Sequence, residues 1–519
     1  MLRPVLLLVF AALTLTSPTE PPQPSAAFDV LIRNARVMDG SGNPWLRRDI
    51  GIRGDRIAAV GRLAFATARL TIDAADRLAA PGFIDVHSHA VEGLLKPELR
   101  QGLPLLAQGV TTIVGNPDGG GSVDLAAQRE RLETGGIGPN VALLIGHGAV
   151  RAAVIGQQNR APTADELERM RDLVRRAMEQ GAYGLSSGLF YTPGSYAKTE
   201  EVVSLAAVAG EFGGLYTSHV RDEGDYGAGV VASVDEVIRI AAEAHVPGIV
   251  THMKALGPDS WGLAPTLIQH IDAARARGVE VFADQYAYEA SSTSLRAALL
   301  PGGVPVPAAG DQAMRAEVEP MVKENIRRRG GAKAIVLAAY AADHALEGKS
   351  LAEIADAHGL TPERAALDLL ARGNASIVSF NMTDRDIDAI MRQPYTMTSS
   401  DGGLVAMNEG KPHPRNYGAF ARKLAVYVRE RGTVSLEFAI RSMTSLPAAV
   451  FGIKDRGQIR AGAFADLVLF DPARVRDRAS YTDPHQLAEG MSYVLVNGVV
   501  VVDDGKFTNA TPGRVLRKE

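Results

Sequence analysis

The sequence predicts an α/β protein: a TIM-type (β/α)8 barrel with a small β-sheet domain built from both chain ends and a large insertion between barrel strands 7 and 8. Three observations predict it. Eight short β-type runs alternate with helix-patterned stretches through the middle of the chain. Two β-rich segments of similar style flank that middle. An interval of about 110 residues separates the seventh run from the eighth, far beyond ordinary loop length.

A length of 519 residues suits a large barrel with a smaller companion. The net charge of −4 and the lack of a basic tract argue against a nucleic-acid partner. The chain has no cysteine, which excludes disulfides, zinc–cysteine sites, a thiolate nucleophile and acylation of a lipobox cysteine.

Residues 1–27 differ in kind. Met1-Leu2-Arg3 is a positive start, Pro4 to Leu15 is almost entirely apolar, and a Pro-rich spacer runs to Ala27. The apolar run is short for a bilayer span but fits the core of a secretory signal. The expectation is a protein exported to a bacterial periplasm or secreted, with no stable membrane insertion after cleavage.

Residues 28–80 open the small β domain. Phe28–Ile32 and Ala35–Met38 are β-rich runs separated by Arg33-Asn34, and Asp39-Gly40-Ser41-Gly42-Asn43-Pro44 is a dense turn signal. Residues 451–519 complete the domain, with strand runs at Ala465–Asp471 and Tyr493–Val501, the second containing a turn.

Between them, residues 81–450 form the barrel. Its strand runs are Phe83–His89, Val110–Val114, Val141–Ile145, Ala182–Ser186, Gly214–His219, Gly248–His252, Val279–Asp284 and Tyr395–Asp401. Thr163-Ala164-Asp165-Glu166 has capping-box spacing ahead of an apolar stripe of Leu167, Met170, Leu173, Val174 and Ala177. Ser233-Val234-Asp235-Glu236 reads as another helix start. The insertion, 285–394, carries helical patterns at Gln312–Arg329, Leu351–His358 and Pro362–Ala371, with β-like runs at Ala334–Ala338 and Ala375–Phe380. It is expected to lie over or beside the barrel mouth.

A barrel keeps its chemistry at the C-terminal ends of its strands. The first run ends in His87 and His89, which share a face if the extended conformation continues through Ser88. The fifth ends in His219, the sixth in His252 and the eighth in Asp401. A lone strand-end histidine is most often structural. Four histidines and an aspartate at one end of the same eight strands point to a metal centre.

The motifs around these positions carry a resemblance. Tyr216-Thr217-Ser218-His219-Val220-Arg221-Asp222-Glu223-Gly224, Thr251-His252-Met253-Lys254, Asp284-Gln285-Tyr286-Ala287-Tyr288, Ser400-Asp401-Gly402 and His413-Pro414-Arg415-Asn416-Tyr417 are similar to the D-aminoacylases, or N-acyl-D-amino-acid deacylases, of the amidohydrolase superfamily. The resemblance runs from about Phe28 to the C-terminus. It implies zinc, in one tight site with a possible second weak site, and a small-molecule substrate with a free carboxylate. It further implies that Lys254, Tyr286 and Arg415 hold the α-carboxylate of an N-acyl amino acid. Read without it, Arg415 is a surface residue and Lys254 a structural ion pair. His147, ending the third run, either donates to substrate or braces the mouth, and Ser291 is a polar wall residue.

One departure matters. The family ends its second strand with a ligating cysteine in Gly-Asn-Cys-Gly, whereas this chain reads Gly115-Asn116-Pro117-Asp118-Gly119-Gly120-Gly121. Proline cannot ligate, so Asp118 either replaces the thiolate or is an ordinary turn residue. In the expected reaction a metal-activated water attacks the amide while Asp401 serves as general base and then acid. Two alternatives remain. A dipeptide or cyclic-amide hydrolase would favour a bridging lysine late in the fourth strand, and Ala182–Gly188 contains none. A non-catalytic barrel relative would be expected to lose Asp401.

Overall fold

A computed structural model describes residues 27–519, so the expected export signal lies outside the described residues. The N-terminal segment forms β1 (Phe28–Val37), β2 (Leu46–Arg53), β3 (Arg56–Gly61), β4 (Ala68–Asp73) and β5 (Leu78–Pro81). The two runs separated by Arg33-Asn34 are one strand, because a bulge carries the chain through the break and Asn34 takes a left-handed φ of 58°.

The barrel follows in chain order. Its strands are β6 (Phe83–Asp85) continued by β7 (Ser88–His89), β8 (Val110–Gly115), β9 (Asn140–Leu143) continued by β10 (Ile145–Gly146), β11 (Gly184–Gly188), β12 (Leu215–His219), β13 (Gly248–Val250) and β14 (Val281–Gln285). The insertion contributes β15 (Ala290–Ser294), β16 (Ile335–Ala339) and β17 (Ser376–Phe380), and β18 (Thr396–Thr398) with β19 (Gly402–Gly403) completes the barrel. Pairing is parallel from β6 to β8 to β9 and from β10 through β14 to β18. The third strand breaks at Leu144, between the part that faces β8 and the part that faces β11. β7 and β19 close the ring, with Ser88 opposite Gly402 and His89 opposite Gly403. Ile84, Val114, Leu144, Leu215, Ile249 and Met397, from six different strands, pack into one buried cluster that fills the barrel.

Helices cover the outside. Ala164–Glu179 starts at the expected capping box, in which Thr163 accepts from Glu166 N and the Glu166 side chain reaches back. The expected start at Ser233 is displaced. That helix runs Val230–Ala244, and the Ser233 hydroxyl instead donates to Gly229 O and accepts from Asp222 N, pinning the loop behind His219.

The insertion is a small α/β module. Its strands form an antiparallel sheet in the order β15-β17-β16, and its helices span Leu295–Leu299, Gln312–Arg328, Leu351–His358 and Pro362–Arg372. They share a core of their own that includes Leu299, Val322, Leu337, Leu351 and Ile377. The last part of the interval belongs to the barrel, since Asp384–Met391 packs against the barrel helix Ala264–Ala276.

The C-terminal strands β20 (Leu467–Phe470), β21 (Met491–Val496), β22 (Val499–Asp503) and β23 (Lys506–Phe507) join the N-terminal ones in a single sheet. The seam is antiparallel pairing of β20 with β5, Leu467 opposite Pro81. Among the described residues, no helix is long and apolar enough to cross a membrane.

Candidate active site

At the strand ends lies a cavity of about 650 Å³, open on one side. The first strand does not stay extended to its histidines. It bends at Val86-His87 before β7 resumes, so alternation alone does not aim the pair. Asp85 does part of that work. Its buried carboxylate accepts from Ser400 N (2.9 Å) and Ser400 Oγ (2.5 Å), which binds the end of strand one to the turn carrying Asp401. Burial pushes the Asp85 carboxyl up to about 6 against these hydrogen bonds.

Six side chains converge. Ligand-type atoms of His87, His89, Asp118 and Asp401 lie within 4.8 Å of one another, as do those of Asp118, His219 and His252. Asp118 belongs to both groups. Its carboxylate stands 3.3 Å from His87 Nε2, 3.4 Å from His89 Nε2, 3.7 Å from His252 Nε2 and 4.0 Å from His219 Nδ1. His219 Nδ1 and His252 Nε2 face each other at 3.0 Å. Asp401 lies 3.3 Å from His89 Nε2 and 3.6 Å from His87 Nε2.

The loop after β8 is built to deliver Asp118. Asn116 and Asp118 both take left-handed φ, at 59° and 55°. Asn116 is held by Gln128 and Leu144 O, while Ser186 Oγ donates to Asn116 O (2.7 Å) and accepts from Gly119 N. At Gly119, φ is 73° and a Cβ would stand 3.0 Å from the backbone nitrogens of Gly148 and Gly188, so glycine is required there.

The donor set fits a transition metal. His87 Nε2 and Asp118 Oδ1 are buried without a hydrogen-bond partner, although polar atoms so buried are normally satisfied. Burial pushes the His219 imidazole down to about 4, leaving a neutral ring with a free lone pair. Burial pushes Asp118 up, but the surrounding imidazoles outweigh it and hold the carboxyl well below the usual carboxylate range. Burial lowers His89 and His252, but the carboxylates beside them outweigh it and raise the two rings to about 9 and 10, so a metal would take the place of their protons. Imidazole and carboxylate donors together are a ligand set for zinc.

Comparison with known proteins places the chain. A model of the amidohydrolase family matches residues 70–502. The chain belongs to the amidohydrolase family. The D-aminoacylase of Alcaligenes xylosoxydans xylosoxydans is 36% identical over 95% of this chain and 98% of its own length. The N-acyl-D-glutamate deacylase of the same organism is 36% identical over 95% and 97%. Among solved structures, the N-acyl-D-glutamate deacylase of Bordetella bronchiseptica superposes with a TM-score of 0.81 at 35% identity, covering 94% of this chain and 99% of that one. It was solved with zinc and a phosphonate inhibitor that mimics the tetrahedral intermediate. A D-aminoacylase with a binuclear metal centre gives a TM-score of 0.82 at 34% identity, over 94% and 100%. A D-hydantoinase at 18% identity and a TM-score of 0.59 shares the fold.

In this amidohydrolase, Lys254, Tyr286 and Arg415 gather on one wall of the cavity. The Arg415 guanidinium lies 4.8 Å over the Tyr286 ring and the Lys254 ammonium 5.5 Å from it. Arg415 opens the helix Arg415–Arg422 and is buried. Its backbone N–H donates to His413 Nδ1, and His413 Nε2 meets Ala290 O, so the insertion's first strand helps to place the arginine. Arg415 Nη1 stands 2.7 Å from Asp401 Oδ2, close enough for a strong ion pair but without the alignment of a hydrogen bond, and Nε has no partner either. The Tyr286 hydroxyl is likewise buried and unpartnered, and burial keeps it protonated as a donor. Ser291 faces the cavity from β15 and accepts from Asn381 Nδ2.

Of the two readings open for His147, its surroundings favour the brace. His147 is fully buried, does not line the cavity, and opens the helix His147–Ile155 with Nε2 3.0 Å from Glu201, whose other oxygen takes Arg151 Nη1 at 2.5 Å. It ties the helix that follows the third strand to the helix Thr199–Glu211 that carries Glu201. Ser186, at the centre of the Gly184-Leu185-Ser186-Ser187-Gly188 run, has the spacing of a nucleophile elbow. Its hydroxyl is spent on Asn116 and Gly119 with no histidine beside it, so it is a loop anchor.

Glu223 is the residue that sequence reasoning quoted without assigning a role. Its Oε1 accepts from the Lys254 ammonium and lies 3.0 Å from His252 Nδ1, while Lys254 Nζ is 2.8 Å from that same nitrogen. Glu223 therefore orients His252 from behind and holds the lysine at the cavity wall. The available signal was an acid four residues beyond the strand-end His219. Its partners sit on a different loop, so spacing alone could not connect them.

Proposed function

We propose that this amidohydrolase is a zinc-dependent deacylase that cleaves the amide bond of N-acyl-D-amino acids to a carboxylate and a free D-amino acid. The observation that carries the reading is the convergence of His87, His89, Asp118, His219, His252 and Asp401 at one point in a cavity whose wall presents three hydrogen-bond donors to a carboxylate, Lys254, Tyr286 and Arg415. A bound zinc supplies a Lewis acid that polarises the amide carbonyl and brings the pKa of water from 15.7 toward roughly 7. Asp401 faces that point ionised, positioned to take the proton of the attacking water and return it to the departing nitrogen. Arg415, Lys254 and Tyr286 fix the α-carboxylate, which sets the amide in register with Asp401. Asp118 shared between the two ligand groups supports a tight site built on His219 and His252 and a second one at His87 and His89.

The test is metal-reconstituted protein assayed against matched N-acyl-D and N-acyl-L amino acids and dipeptides. Hydrolysis confined to the D series is the expected result. Preference for L substrates or dipeptides overturns the assignment. Asp401→Asn should keep its metal and lower turnover by at least about a hundredfold. We also propose export to a bacterial periplasm or beyond, supported by the positive start at Met1-Leu2-Arg3 and the apolar run from Pro4 to Leu15. Cell fractionation with mass spectrometry of the mature N-terminus checks it.

A further inference from the structure

The insertion brings a third cation into the cavity, remote in sequence from every motif above. Arg327, Arg328 and Arg329 end the helix Gln312–Arg328. The first two face Asp225, Asp259 and Glu324 near the surface. Arg329 turns the other way. It is 3% exposed and lines the cavity. Its Nε donates to Tyr226 Oη at 2.7 Å, while Nη1 is buried with no hydrogen-bond partner. Among the described residues, no carboxylate lies within 4.0 Å of its charged nitrogens, whereas Arg415, the other arginine that lines the cavity, has Asp401.

An unpaired guanidinium is expensive to bury, and the cost is recovered when an anion docks against it. Tyr226 fixes its plane from one side, since the ring packs edge-on to Phe190, which in turn tilts against His219. Arg329 thus stands beyond His219, whereas Arg415 stands beside Asp401. The cavity carries cations on both sides of the six converging side chains.

Resting on the deacylase reading, we propose that Arg329 is a specificity-determining residue that binds a second carboxylate of the substrate. The substrate class is then an N-acyl amino acid with two negative charges, the extra one on the amino-acid side chain or at the far end of a dicarboxylic acyl group. Hydrolysis releases it either on the amino acid or on the leaving carboxylate.

The experiment compares kcat/KM of zinc-loaded protein on four pairs of substrates. N-acetyl-D-glutamate and N-acetyl-D-aspartate are set against N-acetyl-D-glutamine and N-acetyl-D-asparagine, and N-succinyl-D-alanine and N-glutaryl-D-alanine against their terminal amides. At least one acid should exceed its amide by about thirtyfold or more, the scale of one buried charge-paired contact, and the side that shows it identifies the source of the charge. In Arg329→Gln that ratio should collapse toward one, with Arg329→Lys between. Equal rates on every acid and its amide in the parent protein overturn the proposal, as does a ratio unchanged in Arg329→Gln. If no N-acyl amino acid is hydrolysed at all, the deacylase reading fails separately. Titration of the parent protein with glutarate against butyrate still decides the second anion position, since equal affinity removes it.

Discussion

Asp118 reaches the four histidines because a left-handed loop carries it past the end of β8. A hard oxygen in that place should loosen the preference for zinc over manganese or cobalt. Asp118→Asn is expected to weaken metal affinity by tenfold or more, on the order of what outer and inner ligands contribute, while the protein stays folded. Competition with a chromophoric chelator measures it, and unchanged affinity would strip Asp118 of its ligand role. Arg415 faces Asp401 and, in the proposed reaction, also holds the substrate carboxylate, so Arg415→Met should cost about 2–5 kcal/mol in kcat/KM on an N-acyl-D-amino acid. The corresponding amino-acid amide should lose only the part transmitted through Asp401. Identical losses on the two would assign Arg415 to Asp401 alone. His87, His89, His219, His252 and Asp401 were legible because each sits at or just beyond the end of a recognisable strand run. Glu223, Phe190 and Arg329 were not, since their relation to the site exists only after distant loops are folded together.

Elements explain where the sequence was silent about position. The bend in the first strand, the break at Leu144 and the displaced start of the helix Val230–Ala244 each come from a local hydrogen bond or strand partner that outweighs the simple periodic pattern. The segment Lys423–Glu430 is a π-helix continuing from the helix that Arg415 opens, a conformation no propensity signals. It buries Lys423 against the barrel, with Nζ donating to Thr398 Oγ1 at 2.7 Å and Ser442 Oγ at 2.9 Å. Burial pushes this lysine from its usual 10.5 down to about 7. Below about 7 the folded protein must hold a buried ammonium. Between about 7 and 10.5 the folded lysine is neutral while the unfolded one still binds a proton, so this group makes stability rise with pH. Lys423→Met should therefore gain most over the parent near pH 6, with the gain shrinking toward pH 10. Urea midpoints across that range test the sign, and a gain that grows with pH contradicts it.

At the scale of the molecule, the barrel and the two-ended sheet are joined by a buried polar cluster. Arg456 donates to Asp466 and, at 2.8 Å, to Asn497 Oδ1, while Asn497 Nδ2 bonds Asn140 on β9 and Pro512 O at 2.8 Å each. Asn140 Nδ2 in turn reaches Asp466, and Arg514 N bonds Asn140 Oδ1. Asp466→Ala would leave the Arg456 charge buried and unpaired, with an expected loss of about 3–5 kcal/mol in unfolding free energy and little change in active-site metal affinity. A loss below about 1 kcal/mol would mean that water replaces the carboxylate. The alternation of runs made the barrel legible, and the matching style of the two ends made their shared sheet legible. The polar cluster was not, because Asn140, Arg456 and Asn497 are unremarkable in sequence until the two ends meet.

That meeting sets a clock on synthesis. Arg56 and Asp455, an ion pair across the sheet, are separated by 399 residues, and β20 through β23 emerge later still. At ribosomal rates of roughly 5–20 residues per second, β1 to β5 wait about 20–80 s for their partners. Throughout that interval the nascent chain carries the unpaired edge of β5, and the edge is open to any chaperone or translocation factor that captures extended segments before the fold can close.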